Sequence, residues 1–137
     1  MNHIEILVLT HGKFGEELVN SAKMIIGEME NVRAISLLPE MSANEYTNNV
    51  RDYLNSIEGD ILCLVDLFGG TPANTILGLS REFDVNIVTG VNLPMLIDVY
   101  LKKESNTGQA LANAALEALI ESGKNVSELL NKSMEEK

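Results

Sequence analysis

The sequence is poor in the residues on which several protein classes depend. Among its 137 residues there is a single cysteine, Cys63, so no internal disulfide can form and no CxxC metal knuckle is present. Tryptophan is absent and aromatic residues make up only 4% of the chain, which disfavours a stacking site for a nucleotide or a flavin. Cys63 lies inside an apolar run, and we expect it to be a core side chain in a reducing compartment.

Positive charge is also scarce. Ten Lys and Arg residues stand against 20 Asp and Glu, for a net charge of −10. Nucleic acids and anionic membranes attract clustered basic residues, so neither is expected as a partner. No apolar run is long enough to span a bilayer, and the start "MNHIEILVL" lacks the basic flank of a signal peptide. We therefore expect a cytoplasmic protein.

What the chain does have is a regular alternation of short apolar runs with amphipathic segments. This pattern predicts βαβ units and a mostly parallel sheet in one domain over 1–137. We expect a flavodoxin-like, doubly wound α/β fold with four strands in the order 2-1-3-4 and helices on both faces. The predicted strands are 4–10, 32–37, 60–67 and 85–91, and the predicted helices are 15–30, 42–57, 71–83, 93–103 and 107–122.

Three local predictions concern the helices. The first helix is expected to bury one apolar face, made of Leu18, Ala22, Ile25, Ile26 and Met29. Ser42 and Glu45, three residues later, match a capping box, so Ser42 is the predicted N-cap of the second helix. Thr71 is the predicted N-cap of the third helix, with Pro72 as its first helical residue. The tail over 124–131 is compatible with either a strand or a helix.

The stretch "LTHGKFGEEL" places His11 after the first strand, and Asp66 comes at the end of the third. In this fold the binding crevice lies where the strand order reverses, between strands 1 and 3. The topology therefore predicts that His11 and Asp66 meet. A carboxylate bonded to one ring nitrogen fixes the tautomer and leaves the other as a nucleophile.

The stretch "VDLFGGTPANT" runs from the end of the third strand into the next helix, beside the same predicted crevice. Gly69 and Gly70 permit a tight turn, and the helix starting near Thr71 offers N–H groups and a positive dipole end. That arrangement suits a phosphate, although a structural turn with a capped helix fits the glycines better when they are taken by themselves. There is no GK[ST] lysine, so an ATP-hydrolysing P-loop is disfavoured. His3 is the only other histidine and falls at the far end of strand 1, so no metal site is expected, and no cofactor.

Three motifs, "THGKFGEEL", "VDLFGGTPANT" and "VTGVNLPML", together resemble the IIA component of the mannose-class phosphoenolpyruvate-dependent sugar phosphotransferase system. The resemblance covers roughly residues 3 to 122. It implies that His11 carries a phosphoryl group, that Asp66 orients its ring, and that Thr71 lies beside it. The Gly69–Thr71 loop would then support the phosphate.

The resemblance also implies partners. The phosphoryl group would come from the phosphocarrier HPr and pass to a IIB component, expected on a separate polypeptide, which serves the IIC and IID membrane components. Family members form homodimers that exchange a C-terminal strand, so we expect a homodimer in which part of 124–131 crosses over, either as a fifth, antiparallel strand or as a helix.

Two other functions stay open at this stage. One is the phosphotransfer subunit of a phosphoenolpyruvate-dependent dihydroxyacetone kinase, which shares the fold and a histidine after strand 1. The other is a small-molecule binding module that performs no chemistry.

Overall fold

The computed structural model describes residues 3–135, which form alternating strands and helices. The elements are β1 Ile4–His11, α1 Phe14–Ile26, β2 Val32–Leu37, α2 Ala43–Asn55, β3 Asp60–Val65, α3 Gly70–Leu79, β4 Asn86–Thr89, α4 Leu93–Lys102, α5 Gly108–Ser122 and α6 Val126–Glu135. Among the helices of this described stretch, none combines the length and apolarity that crossing a membrane requires.

The four strands form one parallel sheet in the order β2-β1-β3-β4, which confirms the predicted α/β architecture. Leu9 of β1 lies beside Val65 of β3, and Val65 lies beside Thr89 of β4. The carboxyl ends of the strands therefore reach the same edge of the sheet, where the order reverses between β1 and β3.

Each face of the sheet has its own apolar core, because successive strand residues point to opposite faces. Ile4, Ile6 and Val8 of β1 pack with α1, α4 and α5. Leu7 and Leu9 pack with α2 and α3. Helices thus cover both faces, as predicted, and the central strand β1 is buried from Ile4 to Thr10.

The first helix is shorter than predicted, and the prediction that Ile25 is buried is wrong. Helix α1 ends at Ile26, because Gly27 takes a φ of 85° that L-residues with side chains rarely adopt. Ile25 is 60% exposed in the last turn, while Leu18 and Ala22 are buried as expected.

The two predicted helix starts have different outcomes. Ser42 caps α2 as predicted, since its Oγ accepts the Glu45 backbone N–H at 3.0 Å. The prediction that Thr71 caps the third helix is wrong: Gly69 is the N-cap, and α3 begins at Gly70. Pro72 is then the third helical residue, a position in the first turn where its missing N–H costs no helical hydrogen bond.

The tail is a helix. Of the two alternatives for 124–131, the structure has α6 and no strand among these described residues. No α6 residue is buried.

Candidate active site

His11 and Asp66 meet at the carboxyl edge of the sheet, as the topology predicts. Nδ1 of His11 lies 2.8 Å from Oδ2 of Asp66. The same oxygen also accepts the backbone N–H of His11 at 2.8 Å. One carboxylate oxygen therefore fixes both the main chain and the ring of His11.

Adjacent strands bring the pair together although the two residues are 55 positions apart in sequence. His11 is the last residue of β1, and Asp66 follows β3 directly rather than ending it as predicted. The Asp66 N–H donates to Leu9 O at 3.2 Å, which continues the strand pairing by one residue. The chain then turns, with the Leu67 N–H donating to Asp66 Oδ1 at 2.9 Å.

The pairing determines which ring nitrogen is free. An ionised carboxylate only accepts hydrogen bonds, so the short contact places the proton on Nδ1 of His11. Nε2 then carries the lone pair. The His11 side chain is 48% exposed and that of Asp66 only 10%, so an anchored, largely buried carboxylate holds a ring that solvent can reach.

Gly70 packs against this free side of the ring. A Cβ built on Gly70 would lie 3.0 Å from Cε1 and 3.3 Å from Nε2 of His11, so a side chain here would press on the imidazole. Gly69 and Gly70 also have φ values of 88° and 82°, in the region that favours glycine. The positive φ favours glycine at both positions, and at Gly70 the His11 ring also leaves no room for a side chain.

The start of α3 therefore lies beside Nε2 of His11. Gly70 and Thr71 are its first two residues, and Thr71 is half-buried. Their backbone N–H groups lack acceptors within the helix, whereas Pro72 has no N–H to offer. The first turn contains no acidic residue and the N-cap Gly69 has no capping side chain. An anion is the natural complement of such a helix end.

Several other residues that could be taken for functional groups lie away from the reactive ring. Met95 is fully buried in the core and has a packing role. Cys63 is fully buried in β3, and burial raises the pKa of its thiol, as expected for an unreactive core side chain. Lys13 is exposed at the start of α1, and His3 lies at the opposite end of β1. Over residues 3–135, no three His, Cys, Asp or Glu side chains are grouped so as to hold a metal ion.

Sequence reasoning missed two features of the site. Tyr46 of α2 is fully buried near Asp66 and donates its hydroxyl to Ile35 O at 2.8 Å; burial, and then the Asp66 charge, raises the pKa of this phenol. Leu67 and Phe68, in the loop beside His11, are 48% and 89% exposed. These two residues form an exposed apolar rim. The signal in the sequence was a pair of adjacent apolar residues in the loop between Asp66 and Gly69.

Comparisons with known proteins agree with this geometry. A family model described as "PTS system fructose IIA component" matches residues 5–116. The chain is 33% identical over 107 residues to the mannose-specific EIIAB component of Escherichia coli K12, covering 75% of this chain and 33% of the relative. It therefore spans about a third of the length of that EIIAB relative.

Two shorter proteins are matched over most of their lengths. The fructose-specific EIIA component of Bacillus subtilis is 32% identical over 104 residues, which is 74% of this chain and 71% of the relative. The crystal structure of an EIIA component from Streptococcus agalactiae superposes with a TM-score of 0.86 at 28% identity, covering 92% of this chain and 99% of that one.

Proposed function

This chain belongs to the family of the PTS system fructose IIA component, and on that premise we propose that it is a phosphocarrier. In this proposal His11 accepts a phosphoryl group from phospho-HPr and hands it to a IIB component of a sugar phosphotransferase system. The protein is then a phosphotransferase component with a phosphohistidine intermediate, and it acts in the cytoplasm on behalf of the IIC and IID membrane components.

The observation that carries the proposal is the short contact between Nδ1 of His11 and Oδ2 of Asp66, at 2.8 Å. In the neutral imidazole it leaves Nε2 with the lone pair, on a half-exposed side chain beside the first turn of α3. A nucleophilic nitrogen next to an anion-binding helix end is what phosphoryl acceptance requires.

The chemistry consists of two in-line transfers. In the first, the lone pair of His11 Nε2 forms a P–N bond while the P–N bond to the histidine of HPr breaks. In the second, the nucleophile of IIB takes the phosphoryl group and the lone pair returns to Nε2. Because phosphohistidine is already an activated donor, the chain's task is positioning and electrostatics.

The surrounding residues suit each part of that task. Asp66 balances the positive charge that develops on the imidazole when Nε2 is phosphorylated. The N–H groups of Gly69, Gly70 and Thr71 support the phosphoryl oxygens at the start of α3. The Thr71 hydroxyl adds one neutral donor.

The exposed apolar rim offers a docking surface for both partners. At the carboxyl edge of the sheet, Phe14 extends the rim formed by Leu67 and Phe68. The three side chains are 49%, 48% and 89% exposed, respectively. A phosphocarrier must bind its donor and its acceptor in turn at the same histidine. We propose that HPr and IIB both use this rim.

The relatives define a sugar class rather than one sugar. The Escherichia coli EIIAB and Bacillus subtilis EIIA components are almost equally similar to this chain, at 33% and 32% identity. Yet the first is named for mannose and the second for fructose. Both are sugar-specific components, which favours sugar transport over the dihydroxyacetone kinase alternative.

We also propose a homodimer formed through the tail. Val126, Leu129, Leu130 and Met134 form one apolar face of α6, and all four are exposed. The edge strand β4 lies beside a largely apolar groove that Leu77 and Ile87 help to line. Covering that open edge with α6 of a second copy would bury both surfaces.

Labelling with phosphoenolpyruvate, enzyme I and HPr tests the phosphocarrier function. We expect an acid-labile, alkali-stable phosphate on the wild type and none on His11→Ala. His3→Ala is the matched control, because His3 is the only other histidine and lies at the opposite edge of the sheet; it should label like the wild type.

Each result decides between the functions. Labelling of His11→Ala at the wild-type level would refute His11 as the acceptor, and an unlabelled wild type would favour a binding module. Chasing the labelled protein with a sugar-specific IIB component, or with the other subunits of a dihydroxyacetone kinase, separates the two phosphotransfer functions.

A further inference from the structure

Thr10 is a fully buried polar residue next to the candidate nucleophile, and nothing above assigns it a role. Because strand residues alternate, its side chain points to the face of the sheet opposite His11, beneath the start of α1. There its Oγ1 accepts the backbone N–H of Gly15 at 2.8 Å and lies 3.5 Å from Gly12 O, to which its hydroxyl donates weakly.

The start of α1 depends on this hydroxyl. The N-cap residue Lys13 makes no side-chain capping bond, so Thr10 replaces it by bonding a first-turn N–H. The contact is close: a Cβ on Gly15 would lie 3.1 Å from both Cγ2 and Oγ1 of Thr10. The buried Gly15 N–H would lose its partner if the hydroxyl were removed.

The bond from Thr10 to Gly15 closes a short loop that contains His11. Within the loop, Gly12 has a φ of 57° and donates its N–H to Leu37 O at 2.7 Å. The His11 N–H donates to Asp66 at 2.8 Å. The position of the imidazole is thus set from Asp66 on one side and from the α1 start on the other.

We propose that Thr10 is a positioning residue, whose hydroxyl ties α1 to β1 and so holds the His11 ring with Nδ1 on Asp66 and Nε2 toward Gly70. As a statement about phosphoryl transfer, this rests on the proposed phosphocarrier function. As a statement about the ring of His11, it stands on the contacts alone.

The test compares Thr10→Val, which keeps the shape and removes the hydroxyl, with Thr10→Ser, which keeps the hydroxyl. Thr75→Val is the matched control, because Thr75 is also a buried threonine and its hydroxyl contacts Thr47 at 3.4 Å, away from the His11 loop. The readouts are the imidazole nitrogen NMR signals of His11 and the rapid-quench rate of transfer from phospho-HPr.

We expect Thr10→Val to shift the His11 signals away from the single Nδ1–H tautomer and to slow transfer roughly ten- to hundredfold, as a small misplacement of a reacting group does. Thr10→Ser should restore both readouts. Thr75→Val should lower the melting temperature while both readouts stay at their wild-type values.

Wild-type His11 signals and rate in folded Thr10→Val would overturn the proposal, since only a structural role would then remain. So would a Thr10→Ser protein with displaced signals, because packing rather than the hydroxyl would be responsible. If Thr10→Val does not fold, Thr10→Ala against Thr10→Ser gives the same comparison. Failure of the wild type to accept phosphate would refute the phosphocarrier function, and the NMR readout would still decide the role of Thr10.

Discussion

At the scale of single residues, the site depends on one oxygen atom that serves two donors. Oδ2 of Asp66 accepts both the backbone N–H and the Nδ1–H of His11, each at 2.8 Å. Because the Asp66 side chain is only 10% exposed, water competes weakly for that oxygen. Changes at Asp66 should therefore affect the orientation and the charge of the ring together.

We predict that Asp66→Asn slows transfer from phospho-HPr roughly ten- to hundredfold, from a loss on the order of 1.5–3 kcal/mol for a charge-assisted hydrogen bond. The amide keeps the shape but not the charge that stabilises an imidazolium. Thr71→Ala should be milder, because it removes one neutral hydroxyl and leaves the backbone N–H groups. Rapid-quench rates should rank wild type, Thr71→Ala, Asp66→Asn, and a wild-type rate for Asp66→Asn would make Asp66 a turn residue only.

Gly70 and Gly69 provide a matched pair for testing the space beside the ring. Both have a positive φ, so alanine at either position should cost a similar amount of stability, about 1 kcal/mol. Only at Gly70 would the new Cβ meet the His11 ring; around Gly69 nothing lies within 4 Å. Gly70→Ala should therefore lose far more transfer rate than Gly69→Ala. Equal losses would show that backbone strain, not ring contact, is what matters.

At the scale of elements, the strands and the buried helix faces could be predicted from the sequence, and some helix ends could not. Ser42 was predictable because a side-chain cap is a local pattern of two residues. The start of α3 was not, because Gly69 caps with a backbone conformation that leaves no side-chain signal. The end of α1 was missed as well, since Gly27 stops the helix inside a continuing apolar periodicity, and Ile25 in the last turn is exposed.

The same distinction applies to the site. His11 and Asp66 could be paired because strand order alone brings them together. The role of Thr10 could not be predicted, because it depends on how closely Gly15 approaches in three dimensions. The tail had two open alternatives, since an isolated apolar stretch carries no sign of what it packs against, and the structure has the helix.

Helix α2 yields a prediction about pH. Burial, followed by the nearby charge of Asp66, raises the pKa of Tyr46 in the folded state above its ordinary value of 10.0. The unfolded state therefore loses this proton first, so the stabilisation is complete below pH 10.0 and is lost as the pH rises further.

The measurement is urea unfolding at a series of alkaline pH values for the wild type and Tyr46→Phe. Above pH 10.0 the free energy of unfolding of the wild type should fall with pH more steeply than that of the variant. The difference should reach up to about 1.4 kcal/mol per pH unit, which is the contribution of one proton. Identical slopes would contradict a buried, neutral phenol. At neutral pH the variant should be less stable by about 1 kcal/mol, since the Ile35 carbonyl loses a donor.

At the scale of the whole molecule, apolar surface remains exposed at the β4 edge and on α6. The proposed dimer accounts for both at once. We predict that light scattering gives the mass of a dimer for the full chain and of a monomer for a version ending at Gly123. A monomeric full chain would refute the dimer, and a dimer that survives truncation would refute the role of the tail.

A point variant separates loss of the apolar face from loss of the chain segment. Leu130→Asp places a charge in the apolar face of α6 and should also give a monomer. Asn131→Asp adds the same charge one residue later, outside the apolar set, and should remain dimeric. Both positions are exposed in the single chain, so neither variant should disturb the fold itself.

The uncapped start of α3 has a thermodynamic consequence. With Gly69 as N-cap and no acid in the first turn, this helix lacks the favourable charge that α1 and α2 carry in Glu16 and Glu45. A phosphoryl group on His11 would supply it, adding stability on the order of 1 kcal/mol, as a good N-cap does. The phosphorylated protein would then unfold at a higher urea concentration than the unphosphorylated protein. By linkage, a partner that docked on this turn and loosened α3 would in turn make a phosphoryl group on His11 easier to transfer.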